Sequence, residues 1–241
     1  MKELDRILKG RNTICFFDLE GTQISHEIIE IGAYKASLRP DGTIKKVYKP
    51  FQAYVKAKHP IGFYVTKLTG ITEAKLRKDG IPFRQMLKDL VKYIGRDFKS
   101  ILFFSYGNQD AGMFIASSDN NMDADEELAT AISHKVFDFG SFFSNYVRSE
   151  SDNMLSLEGA CELFGISFKG KAHDALSDAY NLMLLYEAML EKKDILKREY
   201  AATLSRAHKV PAPLRAMIRQ LNEKGTVSKE DFDAMLETDL K

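Results

Sequence analysis

Asp18 and Glu20 stand two residues apart at the end of the run Thr13–Leu19 (TICFFDL), whose β-branched and aromatic composition predicts a strand. In a strand, residues two apart point to the same face, so these carboxylates would converge. Like charges held together are costly unless something positive sits between them, and hard oxygen ligands suit Mg²⁺ or Mn²⁺. Taken alone, an Asp-x-Glu pair is also what a solvated strand end looks like. Asp110 follows the apolar run Ser100–Ser105 (SILFFS) after the polar turn Tyr106-Gly107-Asn108-Gln109. That is the mouth of a predicted buried strand, where sites in α/β proteins tend to be built, though a plain N-cap aspartate would sit there too. Third, the loop Lys169-Gly170-Lys171 delivers His173 just before a predicted helix, Asp174–Glu191, whose first turns contain Asp178. An imidazole that titrates near neutrality could lean over a site that Asp178 enters from the helix. Either aspartate of this helix start could instead simply complement the helix dipole.

The elements needed to position these groups can be read along the chain. Glu27–Ser37 and Lys45–Lys56 predict two more strands after the first, making an antiparallel meander. His59–Gly62 reads as loop, followed by a turn at Leu68–Thr72 that opens a short basic helix. Pro82–Phe98 has the apolar spacing of an amphipathic helix with a basic polar face. Ser100–Ser105 predicts a strand buried on both faces. A helix at Gln109–Ser117, an acidic connection, a short strand at Val136–Phe139 and a helix from Gly140 come next. Ser156 can cap a helix that Gly165 ends. Strands first and strand–helix alternation afterwards indicate an α/β fold with a mixed sheet.

After Lys192 the character changes. Residues 193–241 read as a helical appendage of two or three helices, broken at Val210-Pro211-Ala212-Pro213 and Gly225, with a capping box at Ser228–Asp231. The main domain, which carries the candidate acids and His173, is thus expected at residues 1–192.

A chain of 241 residues that is 44% hydrophobic and 29% charged has material for one large core. Its charged N-terminus does not resemble a secretory signal, and no apolar run approaches the roughly 20 residues of a membrane helix. We expect a cytoplasmic protein with no membrane contact. Cys15 and Cys161 lie in apolar stretches and read as buried free thiols. The net charge of +1 hides local bias. Residues 75–99 carry eight basic and three acidic side chains, residues 197–224 seven and two, and residues 225–241 two and five. Such basic segments could track a phosphate backbone or be solvated helix faces. His59, His134 and His208 have no carboxylate companion in sequence and read as surface or packing residues. Glu27 and Glu30, at odd spacing, read with His26 as structural groups, and Phe103, Phe104, Phe142 and Phe143 as core.

The three ordered groups, Asp18-x-Glu20, Asp110 after a buried strand, and His173 with Asp178 five residues later, resemble the motifs of the DEDDh exonucleases. The resemblance runs over about residues 12–192 and includes the His26–Ala33 segment and the Leu68-Thr69-Gly70-Ile71 turn. It implies a ribonuclease H-like mixed sheet flanked by helices and a 3′→5′ exonuclease that releases nucleoside 5′-monophosphates. It further implies two divalent cations. Asp18, Glu20 and Asp178 would hold one; Asp18, water and the scissile phosphate would hold the other, with Asp110 reaching it through water. His173 would act as general base. Leu19 and the backbone around Gly21 and Thr22 would lie against the terminal base and its 3′-hydroxyl. The Glu20-Gly21-Thr22 order and Tyr106-Gly107-Asn108 resemble the histone-mRNA branch and tilt the expected substrate from single-stranded DNA towards single-stranded RNA. Two alternatives are a nuclease-like binding module with little catalysis, and a proofreading subunit docked to a polymerase through the C-terminal helices. Oligomeric state is not readable from these motifs.

Overall fold

The computed structural model describes residues 1–240. A short helix, α1 (Lys2–Leu8), precedes the long strands β1 (Thr13–Gly21) and β2 (Ile28–Leu38), and the short β3 (Ile44–Val47) and β4 (Phe51–Tyr54). Three helices follow, α2 (Phe63–Thr69), α3 (Glu73–Asp79) and α4 (Phe83–Ile94), then a 3₁₀ turn over Gly95–Lys99 and β5 (Leu102–Ser105). Next come α5 (Asp110–Asp119), α6 (Glu126–Ser133), β6 (Val136–Asp138), α7 (Phe139–Ser144) and α8 (Leu157–Leu163). The chain continues through the long α9 (Ala175–Glu191) into α10 (Lys193–Arg206), α11 (Ala212–Lys224) and α12 (Lys229–Asp239).

The sheet is mixed, in the order β3-β2-β1-β5-β6, with β4 also paired to β2. β1 is antiparallel to β2 and parallel to β5. Alternation along β1 explains why its sequence is apolar throughout. Ile14 and Phe16 enter a core built with α1, α7, α8 and α9, whereas Cys15, Phe17 and Leu19 enter a second core under α4, α5 and α6. A strand covered on both faces has no solvent side to spend on polar residues until it reaches its end. Asp18 and Glu20 share the parity of Phe16 and so face α9. Phe103, Phe104, Phe142 and Phe143 are core, and both cysteines are buried free thiols.

Several expectations need correcting. Lys45–Lys56 is two strands, not one, because Tyr48-Lys49-Pro50 breaks it; proline offers no N–H to a ladder. The helix expected to Phe98 stops at Ile94, where Gly95 takes a positive φ of 66° and a 3₁₀ turn follows. The acidic connection contains a helix, α6, capped by the Asp125 side chain on Leu128 N and buried through Ala129 and Ile132. Helices α1 and α2 were also not anticipated. α1 is held by Leu4 and Leu8, one turn apart and both buried. α2 buries no residue and ends on Gly70 in the left-handed region. Ser156 does cap α8, and Ser228 and Asp231 do form the capping box of α12. None of the described helices is long and apolar enough to cross a membrane.

Candidate active site

The site is assembled where β1 ends against the start of α9. Asp18 is opposite Gly32 and Glu20 opposite Glu30 across the β1–β2 ladder, and the register shifts just after Glu20. Gly32 is the residue that lets the helix in. A Cβ built there would lie 2.2 Å from Leu176 N and 2.3–2.4 Å from the Ala175 carbonyl, so only glycine allows the first turn of α9 to rest on β2 beside Asp18. Asp174 caps that turn by accepting from Ser177 N and Ser177 Oγ. Ser177 also presses on the loop before it, where Gly170 has a φ of +77° and no room for a side chain. His173 itself sits at φ +62°, a conformation uncommon for a residue with a Cβ. Its backbone N–H donates to Asp178 Oδ2 at 2.9 Å, which ties the loop to the helix carboxylate.

Asp18, Leu19, Glu20, His173 and Asp178 line one cleft, together with Tyr106, Ala172, Phe168 and the Met154–Glu158 segment. Glu158 adds a fourth carboxylate, and among the described residues no Lys or Arg borders the cleft. Electrostatics follow from that lining. Burial, then Asp110, Asp178, Glu20 and Glu30, raise the Asp18 pKa well above the usual carboxylate range. Burial and then Asp178, Glu30 and Asp110 push Glu20 up to about 8. Asp178 is pushed up to about 6, again chiefly by burial, against the hydrogen bond from His173 N. A group of acids that resists ionisation this strongly, with His173 as the one basic side chain among the described lining residues, suits a cation. The donor chemistry fits one: Glu20, His173 and Asp178 each offer a ligand atom, all within 4.8 Å of one another.

Glu20, His173 and Asp178 form the mutually close trio, and Asp18 lines the same cleft. Asp110, at the start of α5, is buried and close enough to Asp18 to raise its pKa. Burial pushes the pKa of Asp110 itself up to about 7, while its backbone, the Ser105 hydroxyl and the Leu19 backbone partly offset this. Leu19 reaches the cleft, but Thr22 is turned inward. Its hydroxyl is 2.7 Å from Ser25 Oγ and accepts from Glu27 N at 2.9 Å. Gly21 lies under Met113, whose Cε would be 2.4 Å from any Cβ there.

Glu27 and Glu30 turn out to be buried anchors. Glu30 accepts from Gln52 Nε2 at 2.8 Å. Glu27 accepts from Ser25 Oγ, Lys58 N and His59 N, and its Oε1 is 2.7 Å from His59 Nδ1. His59 therefore does have a carboxylate companion; the two are 32 residues apart and meet only in the fold, so sequence neighbours did not show it. Glu158, Met154 and Phe168 were not singled out from sequence, and Tyr106 was read only as part of the Tyr106-Gly107-Asn108 turn. Only the Ser156 cap hinted that this segment is fixed, and Tyr106 fixes it further by donating to Leu155 O at 3.0 Å.

Comparison with known proteins agrees with this arrangement. The RNase T exonuclease family model matches residues 15–186. A DNA polymerase III of PolC type from Caldanaerobacter subterraneus subsp. tengcongensis is 28% identical over 193 residues, 79% of this chain but 12% of that protein. The chain thus spans a small fraction of that relative's length. Among solved structures, the nuclease domain of 3′hExo, a DEDDh family member bound to rAMP, superposes with a TM-score of 0.62 at 20% identity, covering 76% of this chain and 94% of that one. Escherichia coli Exonuclease I in complex with a dA16 oligonucleotide gives 0.56 at 16% identity, with 83% and 45% covered. The family match over residues 15–186, on the mixed sheet that carries the acidic residues, shows that this chain belongs to the RNase T exonuclease family.

Proposed function

We propose that this protein is a 3′→5′ exonuclease that uses two divalent cations to hydrolyse single-stranded nucleic acid, with RNA favoured over DNA. The observation that carries this reading is the cleft itself: Asp18, Glu20, Asp178 and Glu158 beside His173, without a cationic side chain among them. Asp18, Glu20 and Asp178 would hold one ion and Asp18 the other, with Asp110 reaching it through water, and Mg²⁺ or Mn²⁺ suits these oxygen donors. Bound there, the cations would supply Lewis-acid stabilisation of the charge that develops on attacking and leaving oxygens. His173, exposed on its loop, would take the proton of the attacking water. Leu19 and the Gly21–Thr22 backbone would hold the terminal nucleoside, with Thr22 acting through its backbone since its hydroxyl is occupied.

The relatives support the substrate class: one is solved with rAMP and another with an oligonucleotide. The preference for RNA rests on the Glu20-Gly21-Thr22 order and on Tyr106-Gly107-Asn108. Residues 1–192 would form the nuclease domain and 193–241 an appendage. In support of that division, the family match ends at residue 186 and α11 and α12 pack chiefly on α10 and each other. Two buried free thiols suit a reducing, cytoplasmic setting. The test uses 5′-labelled RNA and DNA of one sequence with Mg²⁺ or Mn²⁺. A ladder that shortens from the 3′ end, faster for RNA, is the expected result. Internal cuts, or tight binding with no cutting of either strand, would refute it.

A further inference from the structure

The last two helices carry an apolar face that packing on α10 and on each other leaves partly exposed. α11 places Leu214, Met217, Ile218 and Leu221 on one face at the spacing i, i+3, i+4, i+7, yet Pro213 is the one residue of this helix that is buried. α12 repeats the pattern with Phe232, Met235 and Leu236 and buries none of its residues. Leu214 and Leu221 are 38% and 42% exposed, and Leu236 and Leu240 are 38% and 86% exposed. A groove of about 250 Å³ runs between Ala212, Pro213 and Ala216 of α11 and Met235 and Thr238 of α12. Helices this short draw their stability from burying such a face, so a pair that buries so little is incomplete.

Charge states what would complete it. α11 carries Arg215, Arg219 and Lys224 against Glu223, whereas α12 carries Glu230, Asp231, Asp233, Glu237 and Asp239 against Lys229. Among the described residues, no ion pair joins these two helices. They meet through Gln220 Nε2 donating to Asp231 Oδ2 at 2.8 Å, which leaves the arginines of one and most acids of the other unmatched. We propose that α11 and α12 form a self-association surface whose occupant is a second copy of this chain, with α11 of each protomer lying against α12 of the other. A two-fold interface repeats each contact, so a module basic on one helix and acidic on the next is matched twice by its own copy. A nucleic acid strand would be attracted to α11 but repelled by the acids of α12. A partner of one charge sign would satisfy half of the surface.

Sedimentation velocity on the full chain from about 1 to 100 μM tests this. The expected result is a monomer–dimer equilibrium that weakens with added salt. Leu221→Asp should raise the dissociation constant at least about 10-fold, with unchanged circular dichroism showing that the helices persist. Arg215→Glu/Arg219→Glu and Asp233→Lys/Glu237→Lys should each be monomeric alone and dimerise when mixed. A wild-type chain that stays monomeric throughout overturns the proposal, as does a dimer indifferent to both charge reversals. Failure of the two reversed variants to pair when mixed overturns it as well. Loss of oligonucleotide binding by the α11 variant of a monomeric protein would assign the surface to nucleic acid instead.

Discussion

The cleft at the end of β1 and the α11–α12 pair depart from ordinary packing in opposite directions. In the cleft, acids that water would stabilise are drawn into the protein beside one another, and burial is the largest cause of every raised pKa there. In the tail, leucines that the core would stabilise are left in water. The rest of the chain follows the usual rule, with two tight cores on either side of the sheet. Where a fold tolerates a local cost, a bound partner is the natural compensation, and here the two sites call for different ones: a cation in the cleft and a protein surface on the tail.

Breaking the cleft should give the largest effects. Asp18→Asn or Asp178→Asn should lower hydrolysis by about 10³-fold or more, measured as initial rate on a labelled oligonucleotide. Retention of wild-type rate by either purified variant would contradict the site. His173→Ala should lower kcat by roughly 10²–10⁴-fold with a small change in KM, as expected for lost proton transfer. Equal loss in kcat and in substrate affinity would argue for a binding role.

Gly32→Val separates the scaffold from the acids. It leaves every carboxylate in place yet drives a side chain into the Ala175–Leu176 backbone. We expect destabilisation on the order of 1–3 kcal/mol in urea unfolding together with a large loss of activity, as α9 is displaced from β2. Wild-type stability and activity would mean that the helix start is not seated by this contact.

The smallest effect sharpens the electrostatic side of the comparison. Asp18, Glu20, Asp110 and Asp178 have folded pKa values raised above their unfolded ones. Their contribution to stability is therefore fully present below about pH 4, the unfolded range, and is lost as pH rises through the folded values of about 6 to 8. The metal-free protein should accordingly gain more thermal stability from added Mg²⁺ at pH 8.5 than at pH 5.5. Asp18→Asn, which removes one of the repelling charges, should raise the Tm of the metal-free protein by a few degrees. A metal effect independent of pH, or an unchanged Tm in the variant, would count against mutual repulsion.

Much of the cleft was legible because its chemistry is carried by local patterns. Parity places Asp18 and Glu20 on one face of β1, and the helix expected from Asp174 with its glycine loop places His173 and Asp178 together. Other features depend on contacts that sequence spacing does not encode. Gly32 resembles any strand glycine until α9 lies on it, Glu158 enters from a segment distant in the chain, and the His59–Glu27 pair spans 32 residues. The tail shows the same division. Its caps and breaks at Pro211, Gly225 and Ser228 were readable, whereas its lack of burial became visible only from the packed molecule.

The most direct test of the central claim is to count Mn²⁺ bound by the purified chain, by electron paramagnetic resonance at pH 7.5, beside a Glu20→Gln/Asp178→Asn variant. Saturable binding by the wild type, with proton release and with binding lost in the variant, is the predicted result. No binding at millimolar Mn²⁺, or binding that survives the double substitution, would contradict the assignment of the cleft as a cation site.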